Sequence, residues 1–229
     1  MRAAVVVALL AALPASALDH QVEHWSNVNV VGRIQAVGDP KPAPALYYLE
    51  LQPRLLLSDP GPEELVVRAA LGWEVAPHVI VMGGAAAIPA FESPIWTINE
   101  TRLWQQVGYN QNLDRLNLAL RGRLEERLFA ARDASLRVRV LLRASYKLPI
   151  LDDKLALLVW NELFVAFDGD NSAPYEAFDQ SRTFAGVVYK FAPWFGVEAG
   201  YVNVVKGIPD EDSGLMRHVL SLNTFFNLL

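Results

Sequence analysis

The stretch that decides the fold runs Leu113-Asp-Arg-Leu-Asn-Leu-Ala-Leu-Arg-Gly-Arg-Leu-Glu-Glu-Arg-Leu-Phe129, pauses at Ala130-Ala-Arg-Asp-Ala134, and resumes Ser135-Leu-Arg-Val-Arg-Val-Leu-Leu-Arg-Ala-Ser-Tyr146. In the first arm Arg115, Asn117, Arg121, Arg123, Glu125 and Arg127 fall on one side of a two-residue alternation, opposite Leu116, Leu118, Leu120 and Leu124. In the second arm Arg137, Arg139 and Arg143 oppose Leu136, Val138, Val140 and Leu142. Successive side chains of a strand point to opposite faces, so a period of two over such lengths specifies strands, and the polar break makes the pair a hairpin. One face is aliphatic. The other is a ladder of guanidiniums and carboxylates.

The same pattern extends in both directions. Tyr47–Leu57 sets Tyr48, Glu50, Gln52 and Arg54 against Tyr47, Leu49, Leu51 and Leu55, and Leu65–Val75 sets Arg68, Gly72 and Glu74 against Leu65, Val67, Ala69, Leu71 and Trp73. Thr97–Asn110 carries Glu100, Arg102 and Gln106 on one face; Leu155–Phe167 carries Lys154, Trp160 and Glu162 against Leu155, Leu157, Val159, Leu163 and Val165. Gln180–Phe191, Phe195–Val205 and Arg217–Leu229 continue it, with Arg182 and Glu198 on the polar face. Trp25–Ala36 reads as the first strand, and in Val79–Ile88 the alternation is poor. Gly, Pro, Asn and Asp clusters punctuate the segments: Gly38–Pro42, Asp59–Pro62, a longer loop Pro89–Trp96, Pro149–Asp153, Asp168–Phe178, Ala192–Trp194 and Gly207–Gly214. No amphipathic helix, low-complexity tract or second domain is evident.

Residues 1–17 read as a secretory signal: Arg2, an apolar run from Ala3 to Leu13, Pro14, then Ala15-Ser16-Ala17 before the cut. The run is short of the ~20 residues a spanning helix needs. The mature domain is then 18–229. The chain has no cysteine, which removes disulfides and thiolate chemistry. Its net charge of −5 argues against nucleic acid as a partner, and 52% hydrophobic residues against disorder.

Alternation alone does not say which face is inside. A soluble barrel buries the aliphatic face, whereas an outer-membrane barrel turns it to lipid. Three features favour the second. The segments are longer than the 5 or 6 residues usual in soluble sheets and match the ~9 to 11 of a tilted spanning strand. In the C-terminal half tight connections alternate with extended ones. The polar face is built of Arg and Glu, which satisfy one another in a narrow lumen and achieve little in solvent. Tyr47, Trp73, Tyr109, Tyr146, Phe167, Tyr189, Phe191 and Tyr201 on the apolar face read as interfacial girdles. The fold expected is an all-β, antiparallel, up-and-down transmembrane barrel in the outer membrane of a Gram-negative cell. The segments number about eleven, and because single-chain bacterial barrels have even counts we expect about twelve strands, with ten as the runner-up.

Glu50-Leu-Gln-Pro-Arg54, Glu100-Thr-Arg102-Leu-Trp104-Gln-Gln106, Arg121-Gly-Arg-Leu-Glu125-Glu-Arg127, Trp160-Asn-Glu162-Leu-Phe164, Asp179-Gln-Ser-Arg182-Thr-Phe-Ala-Gly186 and Gly200-Tyr201 occur in this order. Together they resemble an uncharacterised family of small outer-membrane β-barrels, a domain of unknown function, from about Trp25 to the C-terminus. The resemblance implies fold and location and brings no reaction or ligand. The chain departs from common outer-membrane practice by closing on Leu229 rather than on an aromatic residue.

The strongest chemical candidate is a lumenal charge network of Glu50, Arg54, Arg68, Glu100, Arg102, Arg121, Arg123, Glu125, Arg127, Arg137, Arg139, Arg143, Glu162, Arg182 and Glu198. It reads either as an anion-attracting wall of a porin-like channel or as a plug of mutually paired charges. The plug is favoured, since buried charges need partners. His24-Trp-Ser26 has the His-x-Ser spacing of outer-membrane lipid A deacylases, without an evident orienting carboxylate, and is the low-prior catalytic candidate of a lipid-modifying hydrolase. His218 and Ser221 fall on opposite faces, and with His20 and His78 the histidines give no metal spacing. Asp168, Asp170, Asp210, Glu211 and Asp212 read as solvated loop acids, and Asn99-Glu-Thr101 as an accidental glycosylation match. We expect no cofactor and no metal. The partners expected are outer-membrane lipids, lipopolysaccharide and the barrel-assembly machinery, with any small-molecule ligand unassigned. The primary reading is a non-enzymatic barrel, structural or a narrow channel. The alternatives are the hydrolase and a soluble periplasmic barrel holding an apolar ligand.

Overall fold

The computed structural model describes residues 18–34, 44–57, 61–92, 95–131, 133–168, 178–207 and 214–229. The expected signal segment, the turn at Gly38–Pro42 and the acids Asp170, Asp210, Glu211 and Asp212 lie outside these residues. The strands are β1 Leu18–Arg33, β2 Ala45–Leu56, β3 Gly61–Ala76, β4 Val79–Glu92, β5 Ile95–Leu113, β6 Leu116–Phe129, β7 Ser135–Lys147, β8 Leu155–Asp168, β9 Phe178–Ala192, β10 Phe195–Gly207 and β11 Gly214–Leu228. Each pairs antiparallel with its successor, and the sheet closes on itself through β1 and β11.

The described residues thus form eleven strands, not the twelve or ten expected. With strands alternating up and down, an odd number leaves the first and last running the same way. Closure is therefore a parallel ladder, Leu18 opposite Gly214 through Gly32 opposite Leu228. The even-number rule describes a tendency of known barrels, whereas here β1, 16 residues long, pairs parallel with β11 on one side and antiparallel with β2 on the other. That strand starts at Leu18, seven residues before the Trp25 start read from the alternation. The supposed long loop Pro89–Trp96 is also mostly strand, since β4 ends at Glu92 and β5 begins at Ile95.

Orientation of the faces follows the pleat. Leu49, Leu71, Leu142 and Leu157 are about half exposed on the outer wall, while Glu50, Arg68, Glu125 and Glu162, at inward positions of the pleat, are buried inside. The poor alternation of β4 has a packing reason. Its inward positions Gly84 and Ala86 are small, and a Cβ at Gly84 would come within 2.6 Å of Ala70 Cβ on the paired strand β3. A seat for a ring lies at Gly186 and Gly200, directly paired between β9 and β10, where the tip of the Phe184 ring takes the space of both missing side chains. Phe184 stacks in turn on Trp160 (ring centroids 5.4 Å, interplanar angle 4°).

At the lower rim, where β1 ends, the connections span 34–44, 77–78, 114–115, 148–154 and 193–194. At the upper rim they span 57–60, 93–94, 130–134, 169–177 and 208–213. The expected short-below, long-above alternation holds at 193–194 against 169–177 and 208–213, and breaks at 34–44, at 148–154 and at the short upper connection 93–94. Three consecutive left-handed residues, Leu151, Asp152 and Asp153, turn the chain at 148–154. Phe191, Trp194, Phe195 and Phe226 form an aromatic cluster at the lower rim, whereas Tyr201 stands mid-strand rather than at an end.

Candidate functional site

The inner wall is two-sided. Trp25, Leu158, Phe184, Val188, Val202, Val204 and Val219 make β8–β11 and β1 largely apolar. The remaining strands carry most of the charges, and the register brings them together. Glu125 on β6 stands opposite Arg137 on β7, and Arg123 opposite Arg139. Glu125 is fully buried and accepts Arg137 Nε and Nη2 at 2.9 and 2.6 Å on one oxygen, and Arg139 Nη1 at 2.6 Å on the other. Arg123 Nη1 is 3.5 Å from that second oxygen. Arg139 also forks onto Glu162 at 3.0 and 2.8 Å, and Glu162 accepts Arg121 Nη2 at 2.6 Å.

Two further carboxylates anchor the ends of this cluster. Glu100 accepts bidentate bonds from Arg102 (2.7 and 2.8 Å) and from Arg127 (2.5 and 3.2 Å). Glu198 accepts Arg143 at 2.5 and 3.2 Å, and Asn223 at 3.1 Å. On the opposite wall Glu50 accepts Tyr48 and Arg68, and Arg54 donates to Glu64 at 2.6 Å and Gln52 at 2.9 Å. Charge-assisted, forked bonds of this kind are the strong ones, and removing a partner strands a buried charge.

Arg182 differs from the other nine arginines of the network. Among the described residues it has no carboxylate within 4 Å; its Nε and Nη2 share the Gln180 amide oxygen at 3.3 Å each. Its guanidinium lies between two rings, 4.9 Å from the Trp25 centroid and 4.5 Å from that of Phe164. Arg54 covers Trp25 at 4.4 Å, and Arg139 covers Phe164 at 4.4 Å. The result is a column, Arg54–Trp25–Arg182–Phe164–Arg139, alternating cation and ring across the lumen.

Reading the sequence missed Glu23, Glu64, Gln106, Asp179 and Arg217 as members. Glu23 is fully buried, accepts Trp25 Nε1 at 2.6 Å and lies 2.8 Å from Arg217. Asp179 accepts Arg137 Nη1 at 2.9 Å and Gln106 accepts Arg123 at 2.6 Å. The alternation could have found Glu23, two residues before Trp25, had the first strand been started earlier.

The charges divide the free space of the lumen. A cavity of about 300 Å³ opens below the upper rim and one of about 790 Å³ above the lower rim. A third, of about 240 Å³, lies in the middle among the arginines.

His24 and Ser26 face outward from β1, with His24 Nε2 2.8 Å from Ser26 Oγ. Among the described residues no carboxylate is bonded to His24. Farther along the outer wall His218 bridges Tyr201 Oη (2.6 Å) and His20 (2.9 Å), and Asn161 donates to Ser181, Thr183 and the Arg182 carbonyl. No group of three or more potential metal-ligating side chains occurs among the described residues. His78 occupies the 77–78 turn with positive φ.

Residues 23–213 match the model of a family described as protein of unknown function (DUF2490). An uncharacterised protein of Methylorubrum extorquens is 28% identical over 204 residues, 88% of this chain and 85% of that one. Among solved structures, outer-membrane expressed OmpT of Vibrio cholerae aligns with a TM-score of 0.39 and 13% identity over 74% of this chain. A loop L8 deletion mutant of the same protein aligns at 0.40 and 16% over 70%. The chain spans 58% and 56% of those two chains.

Proposed function

The chain belongs to the DUF2490 family of proteins of unknown function, which carries no reaction with it; from that premise we propose a non-enzymatic outer-membrane barrel whose lumen is closed by its own charges. The observation that carries the reading is a set of ion pairs joining strands that are not neighbours. Arg121 on β6 reaches Glu162 on β8, Arg137 on β7 reaches Asp179 on β9, and Arg143 on β7 reaches Glu198 on β10. Arg217 on β11 lies 3.5 Å from Glu63 on β3. Such pairs lie across the path a solute would take. A narrow barrel leaves long arginines little room to swing aside.

Membrane placement is supported by the outer wall, where aliphatic side chains stand about half exposed all round the sheet. In water so large an apolar surface would drive association. Facing acyl chains it is at home, and the closed ladder leaves no unpaired edge there. The outward polar groups Asn161, His20 and His218 bond to neighbours on the same wall, which lowers the cost of their exposure to lipid. On this reading outer-membrane lipids and lipopolysaccharide contact the wall, and barrel-assembly machinery inserts the chain.

Planar-bilayer recordings test closure. We expect no steady open-channel conductance from heat-modifiable, folded protein, and a reproducible conductance would replace the plug with a narrow channel. A second reading, lipid-modifying hydrolysis, is favoured by the 2.8 Å His24–Ser26 contact on the lipid side. Among the described residues no orienting carboxylate is bonded to His24, and the reading predicts esterase or deacylase activity lost in Ser26→Ala.

A further inference from the structure

We propose that Arg182 is the centre of a binding site for a small oxyanion, phosphate or carboxylate, inside the upper half of the barrel. The inference deepens the reading of a charge-closed lumen and rests on it for the seclusion of the site. Every other arginine of the fifteen-residue network has a carboxylate within 4 Å. Arg182 instead has one neutral amide oxygen, shared at 3.3 Å by two of its nitrogens, and two ring faces. An amide and a ring quadrupole offset only part of the cost of desolvating a guanidinium.

The surroundings add positive charge to this unbalanced centre. Seven cationic side chains line the 300 Å³ upper cavity against four carboxylates. In the 240 Å³ central cavity, which Arg182 also lines, the balance is eight arginines to three glutamates. Trp25, Arg54 and Arg182 line both cavities, so this end of the column stands between them. Stacking fixes the guanidinium planes. Arg139 spends all three nitrogens on Glu125 and Glu162, whereas Arg54 Nε is buried without a partner and Arg182 holds only long 3.3 Å bonds to Gln180, so these two edges are the donors an oxyanion would take. Apolar walls of β1, β8, β9 and β10 beside it, from Trp25, Phe164, Phe184 and Val204, lower the local dielectric and strengthen that attraction.

Size and access narrow the class. A cavity of about 300 Å³ sits at the bottom of the range for small-ligand pockets. The site lies inside the closed wall, so a headgroup still attached to a bilayer lipid cannot reach it sideways. A free phosphate or a short mono- or dicarboxylate fits.

The test is titration calorimetry on the full chain refolded in detergent, at low ionic strength, with inorganic phosphate in one arm and succinate in the other. Saturable binding in either arm, weakened about tenfold or more in Arg182→Met, is the expected result and identifies which oxyanion is preferred. Should Arg182→Met fail to give heat-modifiable protein, Arg182→Lys serves instead: it keeps the charge, loses the fork, and is expected to bind several-fold more weakly. Absence of saturable heat in both arms with wild-type protein, or affinity unchanged in whichever variant folds, overturns the proposal. Conductance is measured separately, so the closed lumen and the anion site can fail independently.

Discussion

Replacing Glu125 by Gln tests the energetics of the lumen at its most connected point. The substitution keeps shape and removes one charge, which three arginines surround: Arg137 and Arg139 at 2.6 Å and Arg123 at 3.5 Å. Breaking a buried ion pair from one side costs about 3–5 kcal/mol, because the remaining charge is left without compensation. Here each arginine keeps a second partner. Arg139 retains Glu162 at 2.8 Å, Arg137 retains Asp179 at 2.9 Å and Arg123 retains Gln106 at 2.6 Å. The loss therefore falls at the lower end, about 3 kcal/mol, or roughly two orders of magnitude in the folding equilibrium. Urea titration of refolded protein in lipid vesicles, followed by tryptophan fluorescence and by gel heat-modifiability, measures it. Asp153→Asn serves as the control: the Arg115–Asp153 pair is solvent-exposed at the lower rim and is worth less than about 1 kcal/mol. The double variant Glu125→Gln, Arg137→Gln should cost less than its singles combined, since the two residues share one interaction. A Glu125→Gln effect no larger than the Asp153→Asn control would refute the idea that these charges are buried and mutually dependent.

Other expectations concern the two faces of the wall. Val140→Arg, placed on the outer face near the middle of β7, should cost about 2–4 kcal/mol and reduce recovery in the outer-membrane fraction; a change within about 0.5 kcal/mol would instead suit a water-facing wall. Gly186→Ala would bring its Cβ to 2.6 Å from the Phe184 ring and 2.8 Å from Gly200 Cα, so we expect about 1–3 kcal/mol of destabilisation by urea titration. Unchanged stability there would mean that the glycine pair does not seat the ring. Ser26→Ala should leave lipid A composition, read by mass spectrometry, as in wild type; a shift in acylation would revive the hydrolase reading.

The alternating hairpin from Leu116 to Lys147 carried its own interpretation, since a strand's two faces are read directly from odd and even positions. The positions of Glu50, Arg68, Glu100 and Glu162 on the inner wall follow from the same local rule. What escaped lay where local pattern is weak or absent. The run from Gly83 to Ala87 hides its alternation because Gly84 owes its size to the close approach of Ala70, a residue on the neighbouring strand β3. Glu23 and Asp179 join the network from strand ends that turn signals placed wrongly, and their partners Arg217 and Arg137 are distant in the chain.

By itself, then, the amino-acid order determined that this is an all-β chain with one greasy and one charged face per strand, because pleat and side-chain chemistry are local. Only closure of the sheet decided that eleven strands suffice, with β1 and β11 parallel, and that His20 meets His218 across 198 residues. Closure also decided which charges pair. Whether Arg143 faces Glu198, or Arg182 meets two rings and an amide, depends on which strands stand across a narrow lumen, and no spacing along the chain encodes that distance.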